Sequence, residues 1–273
     1  MAETLALVAG GRRLEAVWHG PPPDAAPTLI LLHEGLGCVA GWRDFPAALA
    51  ETTGLGVLVY SRAGYGGSDP VPLPRPLRYM HEEGLVVLPE VLAAARVENA
   101  ILVGHSDGGS IALIWAGGTS GGPRRVGLVL MAPHVVCEDR SIDGIEAARA
   151  AYNHGDLRAR LSRLHGDNVD CAFWGWNGAW LDPAFRKWDI REYLAAIDIP
   201  ALLIQGTDDP YGTIAQVDAI RAGVSGRCDV LALEGCGHAP WKERPSEVRD
   251  AVRTFVSAQT STAGASATDD ARR

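Results

Sequence analysis

A serine between glycines, at the junction of an apolar run and a helix-like segment, is the first feature of this chain that could do chemistry. The run Gly104-His105-Ser106-Asp107-Gly108 follows AILVG at 100–104 and precedes a short apolar stretch at 110–116. It has the form G-x-S-x-G in strand–turn–helix context. A tight turn of this kind holds the serine in a strained backbone conformation and pushes its hydroxyl out at the carboxyl end of the sheet. Small residues on both sides let strand and helix approach closely. The amino end of the helix then favours negative charge developing nearby. A serine hydroxyl is a weak nucleophile until a base takes its proton, so the pattern calls for a histidine and for an acid to orient it.

Two later loops supply candidates. The apolar run at 203–206 leads into Thr207-Asp208-Asp209-Pro210, and the run at 230–233 leads into Glu234-Gly235-Cys236-Gly237-His238. Both loops fall at carboxyl ends of expected strands, where open α/β sheets bind their ligands. His238, with glycine beside it in a flexible loop, is the expected base. Asp208 and Asp209 are adjacent and cannot both face it, so the residues alone leave the acid open. An oxyanion hole needs two donors. One is expected from the backbone N–H of Asp107. The other is expected from His33-Glu34-Gly35-Leu36-Gly37, the loop after the run at 28–33.

These loops need a scaffold. TLILLH at 28–33, GVLVY at 56–60, AILVG at 100–104, VGLVLM at 126–131 and ALLIQ at 201–205 are short, continuous apolar runs that end in Gly, Pro, His or Ser. Strands buried on both faces read this way. Two further strands are expected at 5–8 and 14–18, before a Pro-rich turn at 20–27. Helical spacing is seen at 42–53, 79–96, 216–222 and 246–257. Strand–helix alternation predicts an α/β fold: a mostly parallel central sheet flanked by helices. The alternation breaks at 135–199, where helices are expected at 138–151, 157–164 and 183–196 and no strong strand is seen. That segment reads as a helical cap inserted between a core of 1–134 and its continuation at 200–258. From Gln259 to 273 the apolar period is lost, which predicts a disordered tail.

Half of the chain's 8 tryptophans, Trp174, Trp176, Trp180 and Trp188, lie in the insertion. Trp174, Trp176 and Trp180, with Phe173, are candidates to bind an aromatic or acyl group, against a reading as the insertion's own core. His134 could line a pocket or make a structural hydrogen bond. His105 is expected to pack beneath the serine, and Tyr211 follows the acid loop as a candidate wall.

Composition narrows the classes. The chain has 273 residues, 47% hydrophobic and 21% charged, with a net charge of −8. Without a basic run it does not suit nucleic acid, which needs clustered Lys and Arg. The 5 cysteines, Cys38, Cys137, Cys171, Cys228 and Cys236, are scattered and odd in number, which suits reduced thiols in a cytoplasmic protein rather than a disulfide framework or zinc site. The start, MAETLALVAGG, has an acid where a signal peptide wants basic residues. No membrane span, metal site or phosphate loop is expected; RAGYGG at 62–67 is Gly-rich but has no lysine.

The segments LLHEGLG, YSRAGYGGSD, GHSDGG, IQGTDDPYGT and CGHAPWKERP make the stretch from about 28 to 255 resemble the α/β-hydrolase family, in its cap-bearing esterase, ring-cleavage-product hydrolase and haloperoxidase-like group. In that family the acid stands three residues after the glycine that ends its strand, here Gly206. The resemblance therefore selects Asp209 and leaves Asp208 as a solvated turn residue. It implies a triad of Ser106, Asp209 and His238. Spacing to Trp42 puts the second oxyanion donor at Gly35, although Glu34 occupies the family's usual first glycine. Glu34 itself reads either as an acceptor that holds the loop or as an exposed side chain. The implied activity is hydrolysis of a carboxylic ester through an acyl-enzyme, on a small-molecule substrate and without cofactor or metal. A homodimer is compatible with it. The resemblance also admits carbon–carbon bond hydrolysis of ring-cleavage products, thioesterase or lactonase activity and a perhydrolase side activity. A small-molecule receptor on the same scaffold would carry the same residues.

Overall fold

Eight strands take up the apolar runs, and their hydrogen bonding places the loops that matter side by side. The computed structural model describes residues 2–24 and 26–270, with the backbone alone described at 261–270. The strands are β1 (Ala2–Ala9), β2 (Arg12–His19), β3 (Thr28–Leu32), β4 (Val57–Tyr60), β5 (Asn99–His105), β6 (Arg124–Met131), β7 (Ala201–Gly206) and β8 (Cys228–Leu233). They form one sheet in the order β1-β2-β4-β3-β5-β6-β7-β8. β1 and β2 form an antiparallel hairpin, β2 lies antiparallel to β4, and every later pairing is parallel. A parallel strand cannot be reached by a tight hairpin, so helices cross over each face and both faces are buried. In β3, Ile30 and Leu32 pack into one apolar layer and Leu29 and Leu31 into the other.

The helices follow in chain order. α1 (Phe45–Thr53) comes after a 3-10 turn at Ala40–Trp42. Next are α2 (Tyr79–Glu82) and α3 (Leu88–Ala94), joined by a single π turn, Glu83–Val87. The spacing at 79–96 predicts one continuous helix; the widened turn sits just ahead of Pro89, which has no N–H to give and crowds the carbonyl four residues back. α4 (Asp107–Gly118) leaves the serine turn and is buried along nearly its whole length. Between β6 and β7 come α5 (Asp139–His154), α6 (Leu157–His165) and α7 (Val169–Trp180).

The helix expected at 183–196 does not form. Two 3-10 turns, Pro183–Lys187 and Arg191–Ala196, stand in its place. Trp188 between them is extended, and Asp189 makes a short antiparallel bridge with Val136. Conversely α7, which carries three of the tryptophans, was not singled out by period. The chain ends in α8 (Ile214–Gly223), α9 (Pro240–Glu243) and α10 (Pro245–Asp270). The backbone of α10 runs past Gln259, where the sequence predicts an end to regular structure. Residues 271–273 lie outside the described residues.

The junction of β5 and α4 is the tightest backbone contact near the serine. A Cβ at Gly104 would lie 2.4 Å from the Gly108 carbonyl oxygen, and one at Gly108 would lie 2.0 Å from the Leu32 carbonyl oxygen. Neither obstacle is a side chain that could swing aside. Gly108→Ala is expected to destabilise the fold by about 2–3 kcal/mol or more through overpacking, while Gly178→Ala, with nothing within 4 Å of its added Cβ, should sit close to wild type. Urea denaturation of the two variants checks this, and equal midpoints would refute it.

Candidate active site

Ser106 joins β5 to α4 with φ +52° and ψ −118°, a left-handed backbone that a side-chain-bearing residue rarely adopts. The turn is held from three sides. The Ser106 N–H donates to the Met131 carbonyl at 2.9 Å, and the Ser106 carbonyl accepts from the N–H groups of Gly109 (2.8 Å) and Ser110 (3.1 Å). The strained residue is thus over-determined by its neighbours.

His238 and Asp209 meet across the ends of β7 and β8. His238 Nδ1 lies 2.9 Å from each carboxylate oxygen of Asp209. Asp209 is buried, and its Oδ1 accepts from the Tyr211 N–H at 2.8 Å and its Oδ2 from the Gln205 side-chain amide at 2.8 Å. Burial alone would raise its pKa; the hydrogen bond and charge of His238, with those two donors, outweigh it and hold the carboxyl at about 2. Asp208 is exposed and takes the Thr207 hydroxyl at 3.2 Å. Of the two adjacent acids, Asp209 is the one that faces the histidine.

Ser106 and His238 line one pocket of about 160 Å³, together with Glu34, Gly35, Leu36 and Asp107. Its far wall is Trp176 and Trp180 of α7, with Ile145 and Ser141 of α5, His134 and Tyr211. Trp176 and Trp180 are four residues apart and share one helix face. Trp174, two residues from Trp176, lies against Tyr152 and Phe173 and away from the pocket. The Trp176 indole nitrogen would sit 2.1 Å from a Cβ at Gly35, so that glycine lets α7 close over the loop after β3. His134 sets its ring edge on Trp180 at 5.4 Å and stands 5.8 Å from His238. Burial, then the neighbouring His238, lowers its pKa to about 3, so it is neutral at physiological pH. The Tyr211 ring stands 4.7 Å from that of His238.

Several residues of the site were not picked out from sequence. Arg62, buried just past the end of β4, donates to the His33 and Glu34 carbonyls. Its backbone N–H donates to His33 Nε2 at 3.1 Å, while His33 Nδ1 meets the Glu34 carbonyl at 2.7 Å. One arginine thus fixes the loop after β3. The same guanidinium lies 3.9 Å from the buried Asp107 carboxylate, which accepts the Tyr79 hydroxyl at 2.5 Å; Tyr79 in turn accepts the Trp180 indole N–H at 3.0 Å. The signal was a lone arginine at the end of an apolar run, which its glycine-rich surroundings obscured. Glu34 is half-buried, and its Oε2 lies 3.5 Å from His105 Nδ1.

Larger depressions lie away from this chemistry, among them one of about 920 Å³ bordered by Trp115, Pro89 and Pro123 and one of about 380 Å³ bordered by Arg75, Pro74 and Glu83. Neither contains a nucleophile with a base. Among the described residues no group of His, Cys, Asp and Glu could hold a metal ion, and no helix is long and apolar enough to cross a membrane. All five cysteines are free.

Comparison with known proteins places this geometry. The model of the alpha/beta hydrolase family matches residues 29–251. A non-heme chloroperoxidase of Streptomyces lividans is 24% identical over 262 residues, covering 86% of this chain and 93% of that protein. Epoxide hydrolase A of Mycobacterium tuberculosis is 36% identical over 73 residues, which span 26% of this chain and only 23% of that relative. Among solved structures, proline iminopeptidase of Mycobacterium smegmatis superposes with a TM-score of 0.71 at 21% identity, covering 96% of this chain and 100% of the other. The enol-lactonase of Burkholderia xenovorans LB400 superposes equally, TM-score 0.71 at 20% identity, covering 93% and 100%. Likeness at that identity is likeness of fold.

The depressed carboxyl of Asp209 ties the pair to stability. An unfolded aspartate takes up its proton near pH 4, whereas Asp209 in the folded chain holds out to about 2. Its contribution is therefore complete above pH 4 and is lost as pH falls from 4 to 2, a loss of about 2 kcal/mol. Urea denaturation between pH 5 and pH 2 should show Asp209→Asn less stable than wild type at pH 5 and declining less steeply below it. A variant with the wild-type slope would contradict the assignment.

Proposed function

The chain belongs to the alpha/beta hydrolase family, and from that premise we propose that it is a serine hydrolase that cleaves small carboxylic esters through an acyl-enzyme on Ser106. One observation carries the reading. The serine in a strained left-handed turn shares a pocket with a histidine whose Nδ1 is gripped by a buried aspartate. Asp209 fixes the tautomer with the proton on Nδ1, which leaves Nε2 of His238 as the base. Ser106 Oγ attacks the ester carbonyl as His238 takes its proton. The tetrahedral oxyanion is met by the N–H groups of Asp107 and Gly35, each worth roughly 3 kcal/mol in such sites. Asp107 suits this role because the first N–H groups of a helix have no acceptor within it.

The remaining steps reuse the same groups. His238 returns the proton to the leaving alcohol, and the acyl–Ser106 ester forms. Water then attacks that ester as His238 takes its proton, and His238 hands that proton to Ser106 Oγ as the C–O bond to the serine breaks and the carboxylic acid leaves. The neutral His134 and the indoles of Trp176 and Trp180 surround the acyl group with little charge of their own. At about 160 Å³ the pocket is smaller than drug-sized sites, which start near 300 Å³. It therefore suits a short acyl chain, and small lactones or thioesters present the same carbonyl. The enol-lactonase among the superposed structures bears a name of the same bond class.

Hydrolysis of p-nitrophenyl acetate and butyrate tests the nucleophile and separates an enzyme from a binding protein. Ser106→Ala should lose activity by at least about 10⁴-fold, and Asp209→Asn should lower kcat by about 10⁴-fold. Asp208→Asn should stay within about twofold, since Asp208 faces solvent. Activity that survives Ser106→Ala, or that falls only with Asp208→Asn, defeats the reading.

Acyl size gives a separate check. Wild type should favour acetyl to butyryl esters, and Trp176→Ala should move the optimum to longer chains by opening the wall above Gly35. A chain-length profile unchanged by Trp176→Ala would show that this wall does not bound the acyl site.

A further inference from the structure

Three segments of the proposed site converge on the imidazole of His105. This residue directly precedes Ser106 and is itself buried. Its Nε2 lies 2.6 Å from the His238 carbonyl, so Nε2 carries the proton and donates. Its Nδ1 lies 3.3 Å from the Trp241 indole nitrogen and 3.5 Å from Glu34 Oε2. With Nδ1 unprotonated, Trp241 donates to it; with Nδ1 protonated, Glu34 accepts from it. Both states keep the Nε2–H on the His238 carbonyl.

Each partner belongs to a different catalytic segment. Glu34 precedes Gly35, the proposed oxyanion donor. Its backbone carbonyl is held by Arg62 at 3.1 Å, and its side chain folds back so closely that a Cβ at Gly37 would lie 2.4 Å from Oε2. Its pKa, which burial pushes up, is brought down to about 2 by His105 beside it, so it is a carboxylate at neutral pH. Trp241 stands in α9, just after the base loop, and packs on Trp42 with ring centroids 4.9 Å apart. Around His238, the amides of Gly237 and Ala239 are held by the Glu243 carboxylate at 2.7 and 3.2 Å. The His238 carbonyl is the flanking group that His105 takes.

Resting on the serine-hydrolase reading above, we propose that Glu34 and His105 are positioning residues: a bracket that locks the oxyanion loop and the His238 loop to the serine turn. Asp209 orients the ring of His238 from its side chain, and His105 fixes its backbone from the other side. The glutamate in place of a small residue at position 34 then has a purpose that reaches beyond its own loop. It sets a carboxylate 3.5 Å from Nδ1 of His105, the residue that directly precedes the serine.

A bracket of this kind acts on chemistry rather than on substrate binding. Glu34→Ala should lower kcat about tenfold, the cost of one hydrogen bond to a charged group, with KM within about twofold. Glu34→Gln, whose amide oxygen can still meet Nδ1, should recover most of that loss. His105→Ala should lose at least as much kcat as Glu34→Ala. Hydrogen exchange at the amides of 237–239 should quicken in Glu34→Ala and in His105→Ala. An unchanged kcat, a raised KM with unchanged kcat, or a Glu34→Gln variant as slow as Glu34→Ala would overturn the proposal. If His105→Ala does not fold, the two Glu34 variants decide it. If wild type cleaves no ester, the hydrolase reading fails separately, and exchange alone judges the bracket: unchanged rates at 237–239 sink it.

Discussion

The contact of β5 with α4 admits no side chain, and the rest of the site is arranged around that exclusion. Gly104 faces the Gly108 carbonyl, and Gly108 faces the Leu32 carbonyl, each at a distance that a single Cβ would violate. The chain can make the turn only by placing Ser106 in a left-handed conformation. That strain, of the order of 1–3 kcal/mol for such residues, is borne by three backbone hydrogen bonds and by the buried length of α4. What results is a hydroxyl at the carboxyl end of the sheet, where the loops after β3, β7 and β8 already arrive.

Buried charge does the second part of the work. Arg62 lies between the loop after β3 and the first residue of α4, donating to two carbonyls of the one and facing the carboxylate of the other. Burying a guanidinium costs several kcal/mol unless its donors are met. Here the carbonyls of His33 and Glu34 meet Nη1 and Nη2, while Nε has no hydrogen-bond partner, and the two bonds that are made tie the loop to the arginine. Tyr79 and Trp180 extend the same network from Asp107 to α7. The helices over the pocket are thereby tied to the start of α4 by hydrogen bonds and not by apolar contact alone. Asp107 thus takes two parts: its side chain holds this network, and its N–H stands at the open end of the helix.

Polar groups that could compete with the chemistry are kept quiet by burial. His134 is held neutral beside His238. His33 is likewise driven well below its ordinary pKa, by burial and then by the charge of Arg62. The imidazole that bridges to Asp209 is therefore surrounded by other imidazoles that do not share its partner.

Much of this was legible without the structure, because much of it is local. An apolar run of five or six residues that ends in glycine is a buried strand wherever it lies, and the strands at 28–32, 57–60, 99–105, 124–131 and 201–206 follow from runs of that kind. G-x-S-x-G between a strand and a helix demands the same strained turn in any chain, so Ser106 needed no tertiary information. Asp208 and Asp209 were different. Local chemistry could not divide them, and the direction of the turn after β7, which sends Asp209 inward to Gln205, Tyr211 and His238, is a tertiary fact. So is the face that α7 presents: period along the chain groups Trp176 with Trp180, but only packing shows that this face, and not that of Trp174, covers Gly35. The break at 183–196 arose because Asp189 found a backbone partner in Val136, 53 residues earlier. Arg62, Glu34 and His105 owe their roles to partners on other strands. The sequence by itself determined the strands and the strained serine turn, since these rest on contacts between near neighbours. The tertiary structure decided which tryptophans and which buried charges surround that serine, and it sets Asp209, the acid the family resemblance selects, against His238, since those contacts join residues that only the folded sheet brings together.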